Sequence, residues 1–290
     1  NGDVYMWQMN GTAIATAVGL GNVPSTWRIA GVGDFNGDGA ADIVWRNTNG
    51  DVYISLMNGS TVIGGGSAGN VPVSWSIAGI GDFNGDGKSD ILWRNMNGDV
   101  YMWQMNGSAV ASSAGLGNIP VTWTVAGIGD FNGDGKKDVL WRNASGDVYM
   151  WQMNGFSIAS SAGLGNVPTS WAIAGIGDFN GDGKSDILWR NANGDVYTWL
   201  VSGVTVTGGS LGKILGGLAR KEPGENRAPR SARYTEGCGR RLGGDYLDPG
   251  PGGRPELRGG IGRFRALDGD LVVAVVQAHR HHLDAVEVDR

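Results

Sequence analysis

A 48-residue internal repeat constrains the fold of this chain more than any other feature. The segment Gly-Asp-Phe-Asn-Gly-Asp-Gly occurs four times at that constant interval, with its first Asp at Asp34, Asp82, Asp130 and Asp178. A second segment, Gly-Asp-Val-Tyr, recurs at the same interval, with its Asp at Asp3, Asp51, Asp99, Asp147 and Asp195. A fixed period of about 20–50 residues is typical of arrays in which each repeat is one supersecondary unit. The sequence therefore predicts a repeat array over residues 1–207.

Each repeat contains four candidate strands separated by turn residues. Segments 75–83, 89–94, 99–105 and 108–112 are rich in β-branched and aromatic residues. Asn97-Gly98 and Asn106-Gly107 follow the second and third segments, and Asn-Gly favours type I′ hairpins because both central residues need a positive φ. Such frequent Gly and Asn-Gly would interrupt the helices of a helical solenoid. We therefore predict an all-β protein, a β-propeller of four-stranded antiparallel blades.

The array is predicted to be an incomplete propeller. Asp3 occupies the third-strand position that Asp51 occupies one repeat later, so half a blade precedes four calcium-type repeats. Each link between blades carries a proline, which fixes the chain without removing a ladder hydrogen bond; these are Pro24, Pro72, Pro120 and Pro168. Residues 1–20 are expected to pack only onto the neighbouring blade, and exposed strand edges invite self-association.

The strongest chemical signal is the loop that follows the first strand of each repeat. In Asp82-Phe-Asn-Gly-Asp-Gly-Lys-Ser-Asp90, oxygen-bearing side chains stand at positions one, three, five and nine, and a backbone carbonyl is available at position seven. Hard oxygen ligands at this spacing wrap Ca²⁺, and Gly at position six permits the sharp turn. We therefore expect about four Ca²⁺ ions, one per loop. The candidate ligands are Asp34, Asn36, Asp38, Ala40, Asp42, Asp82, Asn84, Asp86, Lys88, Asp90, Asp130, Asn132, Asp134, Lys136, Asp138, Asp178, Asn180, Asp182, Lys184 and Asp186.

Other calcium motifs fit less well. An EF-hand needs a bidentate Glu at position twelve and flanking helices, whereas position twelve here is a Trp within a strand. The same Trp argues against a dockerin, and the glycine-rich nonapeptide of parallel β-rolls is absent from the sequence. Asp-Gly and Asn-Gly could also act only as turn formers. Four copies with one ligand pattern favour a metal loop over that simpler explanation.

The segment from Gly81 to Trp93, Gly-Asp-Phe-Asn-Gly-Asp-Gly-Lys-Ser-Asp-Ile-Leu-Trp, resembles the FG-GAP or VCBS-type repeat of integrin-α-like propellers. The resemblance covers residues 1–207. It implies that the loop between the first two strands of each blade binds Ca²⁺. It also implies a secreted or cell-surface location, because family members include lectin-like proteins, adhesion receptors and accessory regions of hydrolases. Weak calcium loops, with Kd roughly 10⁻⁴–10⁻³ M, fill in extracellular fluid.

Tryptophan recurs up to three times per repeat, as in Trp75, Trp93 and Trp103. These rings could form a sugar-binding platform, but bulky aromatics more often fill the wedge between twisted blades. We expect packing. One repeat differs, because Ser55 stands where the others have Trp7, Trp103, Trp151 and Trp199.

Charge argues against nucleic acid as a partner. Residues 1–207 hold nine Lys or Arg against 17 Asp and no Glu, and every Asp lies at a repeated position. That pattern indicates ligand and turn chemistry, whereas a nucleic-acid surface is basic.

Asp51 and Arg46, with their equivalents in later repeats, are expected to form exposed ion pairs across a hairpin. No apolar stretch approaches membrane-spanning length.

Catalytic motifs are not convincing. The segment 65–69, Gly-Gly-Ser-Ala-Gly, matches a nucleophile pattern, but sister repeats lack it and the first His is His279. The segment 79–84 has Asn where a dinucleotide fingerprint needs its third Gly. Every Asp of the repeats already belongs to a metal loop or a turn, which leaves no carboxylate pair for glycoside hydrolysis. We expect no catalytic residue and no enzymatic activity.

The repeat features end together near residue 213, and residues 208–290 form an atypical tail rich in Arg, Gly and Pro. Such a composition is typical of a disordered linker or of translation in a shifted reading frame, and we favour the frameshift. Residues 271–276 could form a strand. His279, His281 and His282 are expected to be an incidental cluster, and the single Cys238 excludes an intramolecular disulfide.

These observations predict a calcium-binding extracellular propeller module that binds a glycan or a protein. The contact loops would resemble residues 115–120. Two alternatives remain open, a noncatalytic accessory region of a larger secreted hydrolase and a structural spacer whose only ligand is calcium.

Overall fold

The computed structural model describes residues 2–213, and within that range every regular element is a β-strand. The bounds are β1 Asp3–Asn10, β2 Ala13–Asn22, β3 Trp27–Gly33, β4 Asp42–Asn47, β5 Asp51–Asn58, β6 Thr61–Asn70, β7 Trp75–Gly81, β8 Asp90–Asn95, β9 Asp99–Asn106, β10 Ala109–Asn118, β11 Trp123–Gly129, β12 Asp138–Asn143, β13 Asp147–Asn154, β14 Ser157–Asn166, β15 Trp171–Gly177, β16 Asp186–Asn191, β17 Asp195–Ser202 and β18 Thr205–Lys213.

The strands form four four-stranded sheets and one two-stranded sheet. Strands β3–β6, β7–β10, β11–β14 and β15–β18 make blades 1 to 4, and β1 pairs with β2 in a half blade. In every sheet, consecutive strands are antiparallel neighbours. This repeated four-stranded meander confirms the predicted all-β architecture of propeller blades.

Each blade has two distinct edges. The first strand runs from the proline link to the acidic loop, so that the loop and the turn between the third and fourth strands share one edge, which we call the loop edge. The proline link and the turn between the second and third strands share the opposite edge, which we call the linker edge. At this edge Met96 N donates to Ser74 O at 2.9 Å, so the turn contacts the link directly.

The second strand of each blade is buried on both faces, as in Asp90-Ile-Leu-Trp93 of β8. Its alternate side chains belong to different interblade cores. Val44 and Val52 of blade 1 cluster with Ile91, Trp93 and Met105 of blade 2, and the same arrangement recurs at the next two junctions. Trp93, Trp141 and Trp189 are almost completely buried. The prediction that these indoles fill the wedge between blades is therefore confirmed.

The predicted turn chemistry was wrong by one residue. Gly98 N donates to Asn95 O at 3.0 Å, and Gly98 has a φ of +101° at the end of a three-residue loop. In the next hairpin Asn106 pairs with Ala109, so Gly107 and Ser108 are the central residues, and Gly107 has a φ of +64°. Glycine thus supplies the left-handed residue, and Asn-Gly is not the central pair of either turn.

The fourth strand is longer than predicted. It reaches Asn118 in blade 2 rather than ending near residue 112, because register shifts near residues 111 and 116 let it follow the whole of β9. Residues 115–118, expected to form a ligand-binding loop, therefore lie in β10. In blade 4 the corresponding strand extends to Lys213, beyond the predicted boundary at 207. The predictions for Cys238, for residues 271–276 and for the three histidines lie outside the described residues.

Candidate metal centre

Four acidic loops connect the first and second strands of the blades, and all four lie at the loop edge. We number them loop 1 (34–42), loop 2 (82–90), loop 3 (130–138) and loop 4 (178–186). The nine-residue spacing carries the chain from one strand to its antiparallel neighbour, so position nine is already the first residue of the second strand.

The side-chain oxygens at positions one, three and five organise the loop backbone. In loop 2, Asp82 Oδ1 accepts from Gly85 N at 2.6 Å, and Asp82 Oδ2 accepts from Gly87 N at 2.8 Å. Asn84 Oδ1 accepts from Asp86 N at 2.9 Å. Equivalent bonds to the position-one Asp occur in the other three loops at 2.6–2.9 Å. Asp86 Oδ1 accepts from Lys88 N at 2.9 Å, so the side chains at all three positions accept hydrogen bonds from the backbone of their own loop.

The carboxylate at position nine is buried and bridges two strands of its blade. Asp90 is fully buried, its Oδ2 accepts from Phe83 N at 3.2 Å, and its Oδ1 accepts from Met105 N at 3.0 Å. Asp42, Asp138 and Asp186 make the same pair of bonds. Each of these carboxylates therefore ties the start of its loop to the third strand. The sequence predicted a ligand at this position but not this structural role.

Burial and neighbouring charge both act on the position-nine carboxylate. Burial, reinforced by the negative charges of Asp86 and Asp82, raises the pKa of Asp90 to about 7 despite the bonds from Met105 and Phe83. The same causes raise the pKa of Asp138 to about 6. The negative charges at positions one and five of a loop thus act on the carboxylate at position nine.

A lysine at position seven partly offsets this charge in two loops. Lys136 Nζ lies 3.5 Å from Asp134 Oδ2, and Lys184 Nζ lies 3.9 Å from Asp182 Oδ2. All four side chains are partly exposed, and ion pairs of this kind contribute little to stability. The lysine side chain cannot be a ligand, so only its backbone carbonyl remains a candidate, as the sequence predicted.

Each loop is joined to the next by the backbone. Ser89 N of loop 2 donates to Asp34 O of loop 1 at 2.6 Å, and Gly107 N of blade 2 donates to Phe35 O at 2.8 Å. Loops 2 and 3 are joined in the same way, as are loops 3 and 4, by Lys137, Gly155, Ser185 and Gly203. The acidic loops therefore form a continuous hydrogen-bonded row along the loop edge.

The predicted ion pairs between Asp51, Arg46 and their equivalents were wrong. Arg46 is buried and donates to Gly50 O and Val71 O, both at 2.6 Å, while its guanidinium lies 5.1 Å from the ring centre of Trp93 in the next blade. Asp51 instead accepts from the amides of Asn70 and Asn49. The arginine joins its own blade to the proline link and to the following blade because it can reach several carbonyls at once.

Arg94 and Arg142 repeat this contact with Trp141 and Trp189 at 5.4 and 5.1 Å. This interblade contact was not predicted from the sequence. Its signal was an arginine at a fixed place directly after the apolar residues of the second strand. Such a residue has to find several buried acceptors if it is not to destabilise the core.

A clustered metal site of acidic or histidine side chains alone is not seen. Among residues 2–213, no three His, Cys, Asp or Glu side chains gather in a group that could hold a metal ion. The loop oxygens are nevertheless of the type that Ca²⁺ prefers, and the set includes an amide and a backbone carbonyl besides the carboxylates. The residues present therefore fit calcium by the chemistry of their donors.

The segment 65–69 with the nucleophile pattern lies within β6, where Ser67 Oγ accepts from Gly69 N at 3.2 Å. It is not at a turn between a strand and a helix, the position that a nucleophile elbow requires.

In the part of the chain that the structure describes, no helix is long and apolar enough to cross a membrane.

The blades and their acidic loops define a repeat protein with the architecture of a β-propeller. The model of the FG-GAP-like repeat matches residues 82–141 and 130–189, and the model of the FG-GAP repeat matches residues 26–73 and 170–212. The chain belongs to the FG-GAP repeat family.

Two solved structures are similar to this chain. One is BBS1N in complex with ARL6DN, soaked with mercury, which is 12% identical with a TM-score of 0.40 over 72% of this chain and 62% of that chain. The other is human WBSCR16, which is 12% identical with a TM-score of 0.37 over 70% of this chain and 58% of that chain. The chain thus spans less than two thirds of either structure. No curated protein matched it.

Proposed function

We propose that the blades form a calcium-binding module of an extracellular protein. The observation that carries this proposal is the identical arrangement of the four loops, in which side-chain oxygens at positions one, three and five turn inward around the same backbone groups. In loop 2, Asp82, Asn84, Asp86, the carbonyl of Lys88 and Asp90 would hold the ion. Each oxygen of Asp90 accepts one N–H and keeps a further lone pair.

A bound cation would offset the repulsion among the three carboxylates of each loop. The chain's own contribution is to hold those carboxylates together, through the N–H bonds of the loop backbone and the burial of position nine. Because the loops are hydrogen-bonded to one another, ordering one loop is expected to stabilise its neighbours. Calcium would therefore stabilise the junctions between blades as well as the individual loops.

Isothermal titration of the full chain with CaCl₂ tests this proposal. We expect about four sites, with affinities near those of extracellular calcium modules, roughly 10⁻⁴–10⁻³ M. Mg²⁺ serves as the control, because it prefers near-octahedral coordination with several waters. A titration that resolves one site or none would contradict the proposal. Affinities in this range would favour an extracellular location, since such weak sites stay empty in cytosol.

For ligand binding, we propose the linker edge as the surface that meets a glycan or a protein. Large apolar side chains are exposed there, with Met96 at 80%, Val73 at 70% and Val121 at 63% exposure. A groove of about 440 Å³ at the junction of blades 3 and 4 is lined by Val121, Thr122, Arg142 and neighbouring residues. Exposed apolar side chains beside a groove are typical of interaction surfaces.

Substitution at the linker edge, combined with deletion of the module, separates this role from its alternatives. If the module binds a ligand, Val121→Asp should abolish binding to the cognate glycan or protein and leave calcium binding intact. If the module is an accessory region of a secreted hydrolase, catalysis by the whole protein should persist without the module. If it is a spacer, neither substitution nor deletion should change any binding except that of calcium.

We further propose self-association through the half blade. Strand β1 pairs only with β2 among residues 2–213, while Tyr5 is 69% and Trp7 is 47% exposed. An unpaired strand edge with exposed aromatic rings favours pairing with another chain. Concentration-dependent oligomers that disappear in the Trp7→Asp variant would support the proposal. A monomer at every concentration in solution scattering would refute it.

A further inference from the structure

A cavity of about 260 Å³ lies between the half blade and blade 1. Leu20, Trp45, Tyr53, Ser55 and Met57 contribute to its walls, which are mostly apolar. Ser55 is in β5 and pairs across the sheet with Ile43. The cavity is therefore part of an interblade junction, and Met57 in its wall donates its N–H to Asp42 Oδ1, at position nine of loop 1, at 2.8 Å.

The other three junctions have an indole where this one has the Ser55 hydroxyl. Trp103, Trp151 and Trp199 occupy the position of Ser55, one, two and three repeats later. Each packs edge-on against the buried Trp of the second strand, with ring centres 4.9–5.1 Å apart and planes inclined by 64–67°. At the Ser55 junction, the corresponding ring of Trp45 has no such partner in its own blade.

Leu20 does not replace the missing ring, because its equivalents Leu116 and Leu164 pack in the same clusters as Trp151 and Trp199. A leucine and an indole therefore fit together at this kind of junction. The cavity lies where Ser55 replaces that indole and where the half blade contributes only β1 and β2.

Ser55 adds a hydroxyl group to a wall that also includes the polar side chains of Asn22 and Tyr53. Trp45 Nε1 donates to Ser55 Oγ at 3.0 Å, whereas Nε1 of Trp93, Trp141 and Trp189 is buried without a hydrogen-bond partner. The hydroxyl oxygen retains a second lone pair and its own hydrogen. A ligand could therefore donate to Ser55 or accept from it, while its rings contact apolar walls. A mostly apolar cavity with a small number of placed polar groups is typical of small-molecule sites.

We propose that this cavity binds one small planar aromatic molecule of about the size of indole, oriented by a polar atom against Ser55 Oγ. The three sister junctions show that an indole against this Trp fits the fold. The volume is also sufficient, since an apolar cavity of about 150 Å³ in another protein binds benzene.

The test uses the full chain with free indole as the probe, both with saturating CaCl₂ and with a chelator. Isothermal titration and saturation-transfer NMR should detect one site per chain in the wild type. The Tm measured by calorimetry should rise with indole concentration, because the ligand binds the folded state. In the Ser55→Trp variant, indole binding should be lost. Cyclohexanol, which is not planar, should bind more weakly than indole.

Trp103→Ser is the matched variant, because it places the same serine at the next junction. It should gain a second indole site. Ser55→Phe provides a second filled cavity in case Ser55→Trp fails to fold. Retention of indole binding in a folded, filled variant would overturn the proposal, as would the absence of wild-type binding at millimolar indole. Self-association that is blocked by Ser55→Trp but insensitive to indole would also overturn it, and would instead assign the cavity to an aromatic side chain of a second copy.

Discussion

Loops 2 and 4 have the same nine-residue sequence and the same hydrogen bonds to their first Asp, but their surroundings differ. Asp82 and Asp178 each accept from the glycines three and five residues later at 2.6–2.9 Å. Phe83 is fully buried beneath the next blade, whereas Phe179 is only half-buried, and no further blade follows it within residues 2–213. The nine residues of the loop therefore suffice to form its internal hydrogen bonds. Full burial of the phenylalanine at position two also requires the neighbouring blade.

The largest effect should come from the position-nine carboxylate. Asp90→Ala leaves the buried N–H groups of Phe83 and Met105 without acceptors, at a cost of roughly 1–3 kcal/mol each. We expect a loss of about 4 kcal/mol in the free energy of unfolding, measured by urea denaturation. Asp186→Ala should cost about half as much, because the N–H of Phe179 is only partly buried. Equal losses of unfolding free energy in the two variants would show that the following blade does not strengthen these hydrogen bonds.

Substitution of Arg94 tests the linker edge at the junction of blades 2 and 3. Arg94→Ala removes its bonds to Gly98 O and Ile119 O and its contact with the Trp141 ring. We expect thermal unfolding to report a loss of about 2 kcal/mol. Arg94→Lys is the matched control, and it should recover only part of the loss because an ammonium group cannot reach several carbonyls in one plane. Full recovery with lysine would mean that charge alone matters.

Calcium binding should contribute less to stability than the position-nine carboxylate, and its contribution should differ between loops 2 and 4. With Kd near ~10⁻⁴ M and ~1 mM Ca²⁺, each site should add about 1–2 kcal/mol to the stability of the element that it orders. Asp82→Asn and Asp178→Asn should each remove one site in calorimetric titration. Chelation should lower the Tm more in the Asp178→Asn variant, which retains the better-buried loop 2, than in the Asp82→Asn variant. A larger drop in Tm for the Asp82→Asn variant would contradict the idea that the neighbouring blade increases the stabilisation by calcium.

The smallest expected effect concerns the end of blade 4. A chain that ends at Lys213 keeps all of β18, whereas one that ends at Gly208 loses the pairs that join Gly212 to Val196 and Lys213 to Asp195. We expect the shorter chain to lose about 1 kcal/mol relative to the chain ending at Lys213, as judged by Tm. The same Tm for the two chains would show that residues 209–213 do not stabilise blade 4, in agreement with the boundary predicted at residue 207.

The repeat period predicted the blades, the loops and the buried indoles, because all three follow from local patterns that recur at 48 residues. Other features depend on contacts between repeats. Asp90 reaches across to Met105, 15 residues away, and Arg46 reaches Val71, 25 residues away. A pattern within one repeat cannot show which distant backbone group a buried polar side chain will meet.

The turns and the fourth strand show a different limit. Asn97-Gly98 and Asn106-Gly107 marked the right places, but the same dipeptide fits either two-residue or three-residue hairpins. The choice depends on the register of the paired strands, which the cross-strand packing sets. For the same reason β10 continues through glycines at which the sequence suggested a loop.

The hydrogen-bonded row of loops and the arginine contacts together determine how the array responds to mechanical load. At the junction of blades 1 and 2, Ser89 and Gly107 fasten one edge and Arg46 fastens the other. Bending the blades apart about either edge strains the fastening at the opposite edge. Each of the three junctions between whole blades therefore resists bending in both directions. A pulling force should rupture these junctions one after another instead of opening them like hinges.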